Sequence, residues 1–413
     1  MQWRGRKIAF IAACLVTVLG WITAYTAESA AALLVAESFH GLGTNSVIVT
    51  SYLIICEMIS PEYRHAYMQM YAVLQTFAMA MNGLMTQYVN WRTISVIMCA
   101  PMLIAIPIAF MWPESPYWLA INGEFDKCEE TFSWLGGEAD ISKNELKGHL
   151  NSQKGNIYKE QSKMSCKRIL STITRRDFYL PSLHMFLLQY LFYWSGSYVI
   201  LIYSVELIQR STQNKNAAFF GGFITNLSLC FGIVTGIVLN RLFNKKTILL
   251  WFTSIGVVSM LCASLVTFLQ SVDVLPKSSS LCLYCLILFM IANGVIVPIA
   301  FNIAIEIMPL KHRSIGGALI VACSCVLHYT SLKISPYLFL YIDLWATFIC
   351  YTLNSLCCGL FIWKFVPETK NKSLQEIEDF YMYGGYKRRH VMDEYFEDLD
   401  QGEEMLAITK GKN

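Results

Sequence analysis

The stretch "FMWPESPYWLAINGEFDKCEE" occupies residues 110–130, where an apolar run ends in a Pro-Glu-Ser-Pro turn and a charged segment begins. A second stretch, "FVPETKNKSLQEIED" at residues 365–379, leaves another apolar run through Pro-Glu-Thr. In both stretches an apolar run ends in Pro-Glu and charged residues follow. This recurrence raises the question of why the same ending occurs twice in one chain.

The composition of the chain indicates a membrane protein. Of 413 residues, 55% are hydrophobic and only 15% are charged, whereas a soluble chain of this size needs more charge to cover its surface. The net charge of +3 is too small to favour a nucleic-acid partner. Most of the 14 Cys lie inside apolar runs and are interpreted as packing residues, so we expect neither a metal nor a cofactor.

Ten apolar segments are long enough to cross a bilayer as helices, because a hydrocarbon core of about 30 Å needs about 20 residues. The predicted fold class is therefore an all-α, polytopic membrane protein, with the lipid bilayer as its surroundings. The ten predicted spans are residues 8–25, 31–55, 66–86, 92–112, 182–206, 217–239, 247–269, 281–304, 314–335 and 342–364.

The distribution of Lys and Arg predicts the orientation of these spans. With a cytoplasmic N-terminus and ten alternating spans, 27 of the 32 basic residues fall in cytoplasmic segments and four in external ones. The remaining one, Lys333, lies within a span. This asymmetry is a strong positive-inside signal. It predicts that both termini and the two long polar segments, 113–180 and 365–413, are cytoplasmic.

Two further sequence signals recur along with the opening stretch. "EMISPEYR" at 57–64 and "EIMPLKHR" at 306–313 both place Glu seven residues before Arg. "RGRK" at 4–7 and "RLFNKK" at 241–246 are both basic turns between spans. The three signals repeat at similar offsets, of 249, roughly 240 and roughly 254 residues, which indicates a tandem repeat of one multi-helix unit.

This set of motifs resembles the sugar porter family of the major facilitator superfamily, and "VPETKNKSLQEIED" is its most specific piece. The stretch "RSIGGALIVACSCVLHYTSLKISP" at 313–336 is most similar to the trehalose-transporter branch. The resemblance implies the major facilitator fold, which has twelve spans in two six-helix bundles. Because the family's first basic turn follows its second span, the resemblance also implies that two N-terminal spans are missing here.

The implied organisation is four helices followed by six. Residues 1–112 would hold the remaining helices of the N-terminal bundle and residues 113–180 a cytoplasmic loop. Residues 181–364 would form the C-terminal bundle and residues 365–413 a cytoplasmic tail. An incomplete gene model and a shortened product both account for the missing spans.

The duplicated charged residues are expected to gate the carrier. Basic residues at cytoplasmic helix ends can pair with carboxylates of neighbouring helices, closing one side in one half-cycle and releasing it in the other. For any single basic residue, anchoring to lipid headgroups is the alternative. The predicted gating network comprises Arg6, Glu57, Arg64, Glu114, Arg241, Glu306, Arg313 and Glu368.

The resemblance also implies a substrate site, because polar groups inside the membrane are costly and therefore candidates for function. At three positions where the family has amides, this chain has Phe192, Tyr193 and Tyr198, which offer fewer hydrogen-bonding groups. A smaller or flatter, amphiphilic solute fits this change, and ordinary helix packing is the alternative for each residue. The candidate substrate-binding residues are Gln75, Phe192, Tyr193, Tyr198, Asn226, Ser228, Asn293, Phe301 and Ser324.

The function that the resemblance implies is transport of a small solute, a sugar such as trehalose, by alternating access. One alternative is a non-transporting or truncated relative that acts as a sensor or regulator. Another is a carrier of a non-sugar organic solute. An enzyme is not expected, because neither His-Glu-x-x-His nor Gly-x-Ser-x-Gly occurs in the sequence. The predicted location is the plasma membrane, and the sequence does not indicate an oligomeric state.

Overall fold

The fold is given by a computed structural model that describes residues 4–59, 61–135, 176–307, 313–370, 372, 377, 380 and 381. All regular secondary structure within these residues is helical. The described helices group into two compact units, one up to Met164 and one from Ser165 onward. Most of the predicted loop and most of the predicted tail lie outside the described residues.

The first unit contains six described helices. Within it, α1 packs along α2 and also contacts α4. The turn from α1 to α2 is fixed by Ser29, whose Oγ accepts a hydrogen bond from the Ala32 N–H at 3.2 Å and so caps α2. The helices are α1 Arg6–Thr26, α2 Ala30–Met58, α3 Pro61–Tyr88, α4 Trp91–Met111, α5 Pro116–Ile121 and α6 Phe125–Trp134.

The second unit contains seven described helices. Its centre is the packing of α9 against α11 and of α10 against α11 and α13, with α7 contacting α12 and α13. The helices are α7 Arg176–Trp194, α8 Ser197–Thr212, α9 Lys215–Leu242, α10 Lys245–Ser271, α11 Leu281–Ile307, α12 Arg313–Tyr341 and α13 Leu344–Phe365.

Nine of the ten predicted spans each coincide with one long helix, and the tenth, 182–206, covers parts of α7 and α8, which are separated at Gly196. Within the described residues, eight helical segments are long and apolar enough to cross a membrane, one of them being the combined α7 and α8 run at Phe178–Thr212. The other two predicted spans fall on α3 and α12, which have 28 and 29 residues but carry more polar side chains. The prediction of an all-α, polytopic membrane fold is confirmed.

The described part of the tail packs on the second unit. Ile377 and Tyr381 are each 1% exposed and belong to a core cluster that also contains Phe178 and Met185. The Tyr381 hydroxyl lies 2.8 Å from Nδ1 of His184 in α7. The chain therefore folds back onto the helix bundle after α13.

Two glycines allow α9 and α11 to touch backbone to backbone. A Cβ added at Gly232 would overlap the Ile291 carbonyl oxygen, and one added at Gly294 would overlap the Leu229 carbonyl oxygen. Small residues at such crossings permit the close van der Waals packing on which helix association in lipid depends. This crossing is therefore sensitive to the addition of a single methyl group.

We expect Gly294→Ala to destabilise the second unit by roughly 1–3 kcal/mol, because the methyl group must push two helix backbones apart. Gly256→Ala is the matched control, since its nearest neighbours would lie 3.8 Å from the new Cβ. The control should be neutral or slightly stabilising, as alanine favours a helix interior over glycine by roughly 0.5–1 kcal/mol. Thermal unfolding of the purified proteins, followed by tryptophan fluorescence, measures both. Equal melting temperatures for the two variants would contradict the packing described.

Candidate functional site

A buried ion pair lies at the start of α1. The Arg6 guanidinium donates to both carboxylate oxygens of Glu57, with Nε–Oε2 and Nη2–Oε1 distances of 2.9 Å. Both side chains are only 10% exposed. Ser115 Oγ donates to the same carboxylate at 2.6 Å. This bidentate arrangement joins α1 to the end of α2 and to the turn that follows α4.

The Pro-Glu-Ser-Pro turn caps α1. Glu114 Oε1 accepts hydrogen bonds from the backbone N–H groups of Arg6 at 2.8 Å and Lys7 at 3.2 Å. A carboxylate is favourable here because the N-terminus of a helix carries unpaired N–H donors and a partial positive charge. Gly5 adopts φ +89°, and a Cβ there would overlap the Glu114 carboxylate, so the approach requires glycine.

The end of α4 is tied to the same point. Lys7 Nζ donates to the backbone carbonyls of Phe110 at 2.7 Å and Trp112 at 2.8 Å. These are terminal carbonyls that have no partner within the helix. The start of α1, the end of α2 and the end of α4 thus meet in one cluster.

The second unit repeats this arrangement. Glu368 accepts from the backbone N–H groups of Lys245 at 3.2 Å and Lys246 at 3.0 Å, and so caps α10. Lys370 Nζ donates to the Arg241 carbonyl at 3.0 Å, which ties the tail to the end of α9. The Lys245 ammonium pairs with Glu306 near the end of α11. The recurrence of Pro-Glu in the sequence therefore reflects the same capping carboxylate in each unit.

Most of the predicted charged residues lie together within their own unit. In the second unit, however, the basic partner of Glu306 is Lys245 and not Arg241. Glu306 contacts Lys245, which the sequence analysis did not select, whereas the Arg241 side chain is exposed. The signal that could have identified Lys245 is its place as the first residue of a Glu-capped helix, as Arg6 is in α1. The side chains of Arg64 and Arg313 lie outside the described part of the chain.

A break between α7 and α8 forms a second candidate site. Gly196 adopts φ +92°, and a Cβ there would lie 2.8 Å from the Tyr351 ring. Next to it, Ser195 is 3% exposed and its Oγ donates to Asn293 Oδ1 of α11 at 3.3 Å. Asn293 Nδ2 in turn donates to the Phe289 carbonyl at 3.0 Å. A polar network thus surrounds irregular backbone inside a predicted span, where it must be satisfied by protein groups.

Four rings, here called the aromatic cluster, line this break: Phe192, Tyr193, Tyr198 and His328. The His328 ring stacks on Tyr193 with centroids 5.3 Å apart and meets the edge of Tyr198 at 4.3 Å. Phe192 contacts Tyr193 edge-on at 4.9 Å. The sequence analysis selected the first three residues but not His328, because its neighbours come from α7 and α8 and are distant in sequence.

Two buried amides near the same helices keep unused hydrogen-bonding groups. Ser324 Oγ donates to Gln189 Oε1 at 2.8 Å, while the 4%-exposed Gln189 has no partner for its Nε2 among the described residues. The side chain of Asn226 is 7% exposed, and its Oδ1 also has no hydrogen-bond partner among the residues that the structure describes. Gln189 was missed in the sequence analysis. Each free group is able to bind a hydroxyl-bearing ligand.

The remaining candidates are not joined to the aromatic cluster. Ser228 Oγ donates back to the Ile224 carbonyl of its own helix at 2.7 Å. Gln75 is exposed on α3 in the first unit. The Phe301 side chain lies outside the described residues. No cluster of metal-ligating side chains is found where the structure describes the chain.

Comparison with known proteins shows which family this chain matches. A family model described as "Sugar (and other) transporter" matches residues 1–381. Sugar transporter ERD6-like 6 of Arabidopsis thaliana is 25% identical over 403 residues, covering 92% of this chain and 77% of that protein. Facilitated trehalose transporter Tret1 of Apis mellifera ligustica is 26% identical over 391 residues, covering 92% and 74%. The arabinose-proton symporter of Escherichia coli strain K12 is 26% identical over 406 residues, covering 94% and 81%.

Solved structures give the same fold. The major facilitator superfamily proton:xylose symporter XylE, bound to 6-bromo-6-deoxy-D-glucose, superposes with a TM-score of 0.70 at 17% identity. It covers 91% of this chain and 83% of its own. The inward open conformation of XylE from E. coli gives the same TM-score at 16% identity and covers 91% and 82%. The described chain therefore has the major facilitator fold.

We expect Glu57→Gln to destabilise the first unit strongly, because it leaves the Arg6 guanidinium without its carboxylate in a largely buried place. Removing one partner of such a pair costs roughly 3–5 kcal/mol. Glu206→Gln is the matched control, since its pair with Arg210 is 49% and 37% exposed and should contribute less than roughly 1 kcal/mol. Thermal unfolding in one detergent compares the two variants. A similar loss in both would show that burial does not distinguish the two pairs.

Proposed function

The chain belongs to the Sugar (and other) transporter family, and from that premise we propose that it carries a sugar across a membrane by alternating access. It is an integral, multi-pass membrane protein and a transporter rather than an enzyme. The observation that supports a sugar as its solute is the family match over residues 1–381, which includes all the described helices of both units. Relatives named for trehalose and arabinose support the same solute class.

We propose that the two charged clusters stabilise one state of the transport cycle. Each cluster ties helix ends that are far apart in sequence: α1, α2 and α4 in the first unit, and α9, α10, α11 and the tail in the second. Breaking ion pairs at helix ends is a common way in which transporters release one side of the membrane. The predicted gating network, with Lys245 added, would act in this way.

Sugar binding would use the polar groups around the α7–α8 break. Amide groups both donate and accept, as vicinal hydroxyls require, and Asn293 and Gln189 supply them here. Tyr193 and Tyr198 would pack on the apolar face of the sugar ring and offer hydroxyls. Because this set contains few amides, we propose that a monosaccharide is preferred to trehalose. Asn226, Ser228, Ser324, Phe192, Phe301 and Gln75 remain candidates for further contacts.

We propose that the protein lies in the plasma membrane with both termini in the cytoplasm, and the positive-inside asymmetry supports this orientation. An epitope inserted after residue 155 should bind antibody only after cells are permeabilised. The same epitope inserted in the turn at 273–279, between α10 and α11, should bind antibody on intact cells. The reverse pattern, or equal access to both epitopes, would contradict the proposed orientation.

Uptake by purified protein in liposomes tests the transport proposal. We expect saturable, counterflow-competent uptake of labelled L-arabinose, D-xylose or D-glucose, slower uptake of trehalose, and no uptake of mannitol above leak. Asn293→Leu should reduce sugar uptake about tenfold or more, because a buried sugar hydroxyl loses its partner.

The control for this experiment is Asn354→Leu in α13. That residue accepts a hydrogen bond from Tyr190 at 3.3 Å and lies outside the Ser195–Asn293 network, so its variant should retain most of the uptake. Absence of flux for every sugar, from protein that is folded and reconstituted, would overturn the proposal. It would favour a non-transporting role or a non-sugar solute. Equal losses in both variants would reject Asn293 as a binding residue.

A further inference from the structure

Helix α12 carries an isolated charge. Lys333 lies eight residues before Tyr341, the last residue of α12, which is about 12 Å along the helix axis. It forms no ion pair or hydrogen bond with any residue that the structure describes. An ionisable side chain within a membrane-spanning helix is costly and is by default a candidate for function.

An open cavity of about 360 Å³ lies beside Lys333, whose side chain is exposed, as are those of Tyr337 and Leu340. Lys333, Pro336, Tyr337 and Leu340 line it from α12, with the i, i+3, i+4 and i+7 spacing of one helix face. Tyr203 of α8 completes the lining, together with Leu332. The volume falls within the range of small-molecule sites, and the lining combines one cation, two phenols and apolar side chains.

The helical hydrogen bonding or backbone geometry is disturbed beside this cavity on both helices, which is a second and independent observation. Tyr203 has φ −99° and ψ 15°, so α8 is kinked at that residue. Pro336 has no N–H, which leaves the Leu332 carbonyl without its helical partner. Non-helical backbone at membrane depth is tolerated where it is buried in protein or lines a polar cavity. A kink at Tyr203 and a Leu332 carbonyl that lacks its helical partner therefore lie beside a cation that has no partner among the described residues.

We propose that this cavity binds the anionic group of a small amphiphilic molecule, a carboxylate or a phosphate ester. The Lys333 ammonium would pair with the anion, and the phenols of Tyr203 and Tyr337 would donate to its remaining oxygens. Leu340 and Pro336 would contact the apolar body. The site shares no residue with the aromatic cluster or the Ser195–Asn293 network, so it does not depend on the proposed sugar transport. An organic anion from water and an anionic lipid headgroup have the same chemistry.

Binding of benzoate to the full chain in phosphatidylcholine nanodiscs, measured by isothermal calorimetry, tests the proposal. Benzamide is the neutral analogue of the same shape and should bind at least about tenfold more weakly, because it cannot form the ion pair. Lys333→Gln should weaken benzoate binding by a similar factor, and Lys333→Arg should restore most of it. Lys277→Gln is the matched control, since that lysine pairs with Asp273 in the α10–α11 turn and should leave binding unchanged.

A second arm distinguishes the source of the anion. If a lipid headgroup is the ligand, phosphatidylglycerol added to the nanodisc should compete with benzoate. Native mass spectrometry should then detect fewer retained phosphatidylglycerol molecules on Lys333→Gln than on the wild type. If Lys333→Gln does not fold, Tyr337→Phe should still weaken benzoate binding while keeping the ring that stacks on Tyr341.

Three results would overturn the site. The first is equal benzoate affinity in the wild type and Lys333→Gln, and the second is equal affinity for benzoate and benzamide. The third is absence of saturable benzoate binding together with unchanged retention of phosphatidylglycerol in Lys333→Gln. The third result is what a lysine that merely extends toward the headgroups would give. Because sugar uptake is measured separately, none of these results bears on the transport proposal.

Discussion

The need to satisfy backbone N–H groups at the start of a helix organises both units. α1 and α10 each begin immediately after a basic turn, and neither has a side-chain cap from its own N-cap residue. A carboxylate from a distant part of the chain, Glu114 or Glu368, takes that place instead. Because Glu114 follows α4 and Glu368 follows α13, each capping interaction joins the start of one helix to the end of another that is distant in sequence.

The need to satisfy backbone hydrogen-bonding groups also explains why the helices and the repeat could be predicted from the sequence. Apolar runs of about 20 residues are a strong signal in a bilayer, where every backbone group must be satisfied inside a helix. The Pro-Glu segments and the basic turns could be recognised as duplicated motifs because the capping geometry restricts which residues can occupy those positions. Gly5 illustrates the restriction, since its φ of +89° and its contact with Glu114 both exclude a side chain.

The side-chain partners were harder to predict, for two physical reasons. Lys245 and Arg241 are four residues apart in one basic turn, and the sequence cannot indicate which of them faces Glu306. The partners of Gln189 and Tyr193, Ser324 and His328, come from α12, well over a hundred residues away. Such contacts depend on how helices are rotated about their axes, which packing decides and local pattern does not. The break at Gly196 was also missed, since the sequence analysis treated residues 182–206 as one span.

That break connects the two kinds of candidate site in the second unit. The run Phe178–Thr212 is interrupted at Gly196 and again, seven residues later, at Tyr203. Each interruption leaves backbone groups that lipid cannot satisfy, so each needs polar protein groups or water beside it. At Gly196 these are Ser195 and Ser197, whose hydroxyls both donate to the Phe192 carbonyl, and beside Tyr203 lies the cavity with Lys333. An uninterrupted helix would pair these backbone groups internally, so the polar groups beside both positions are a consequence of the two interruptions.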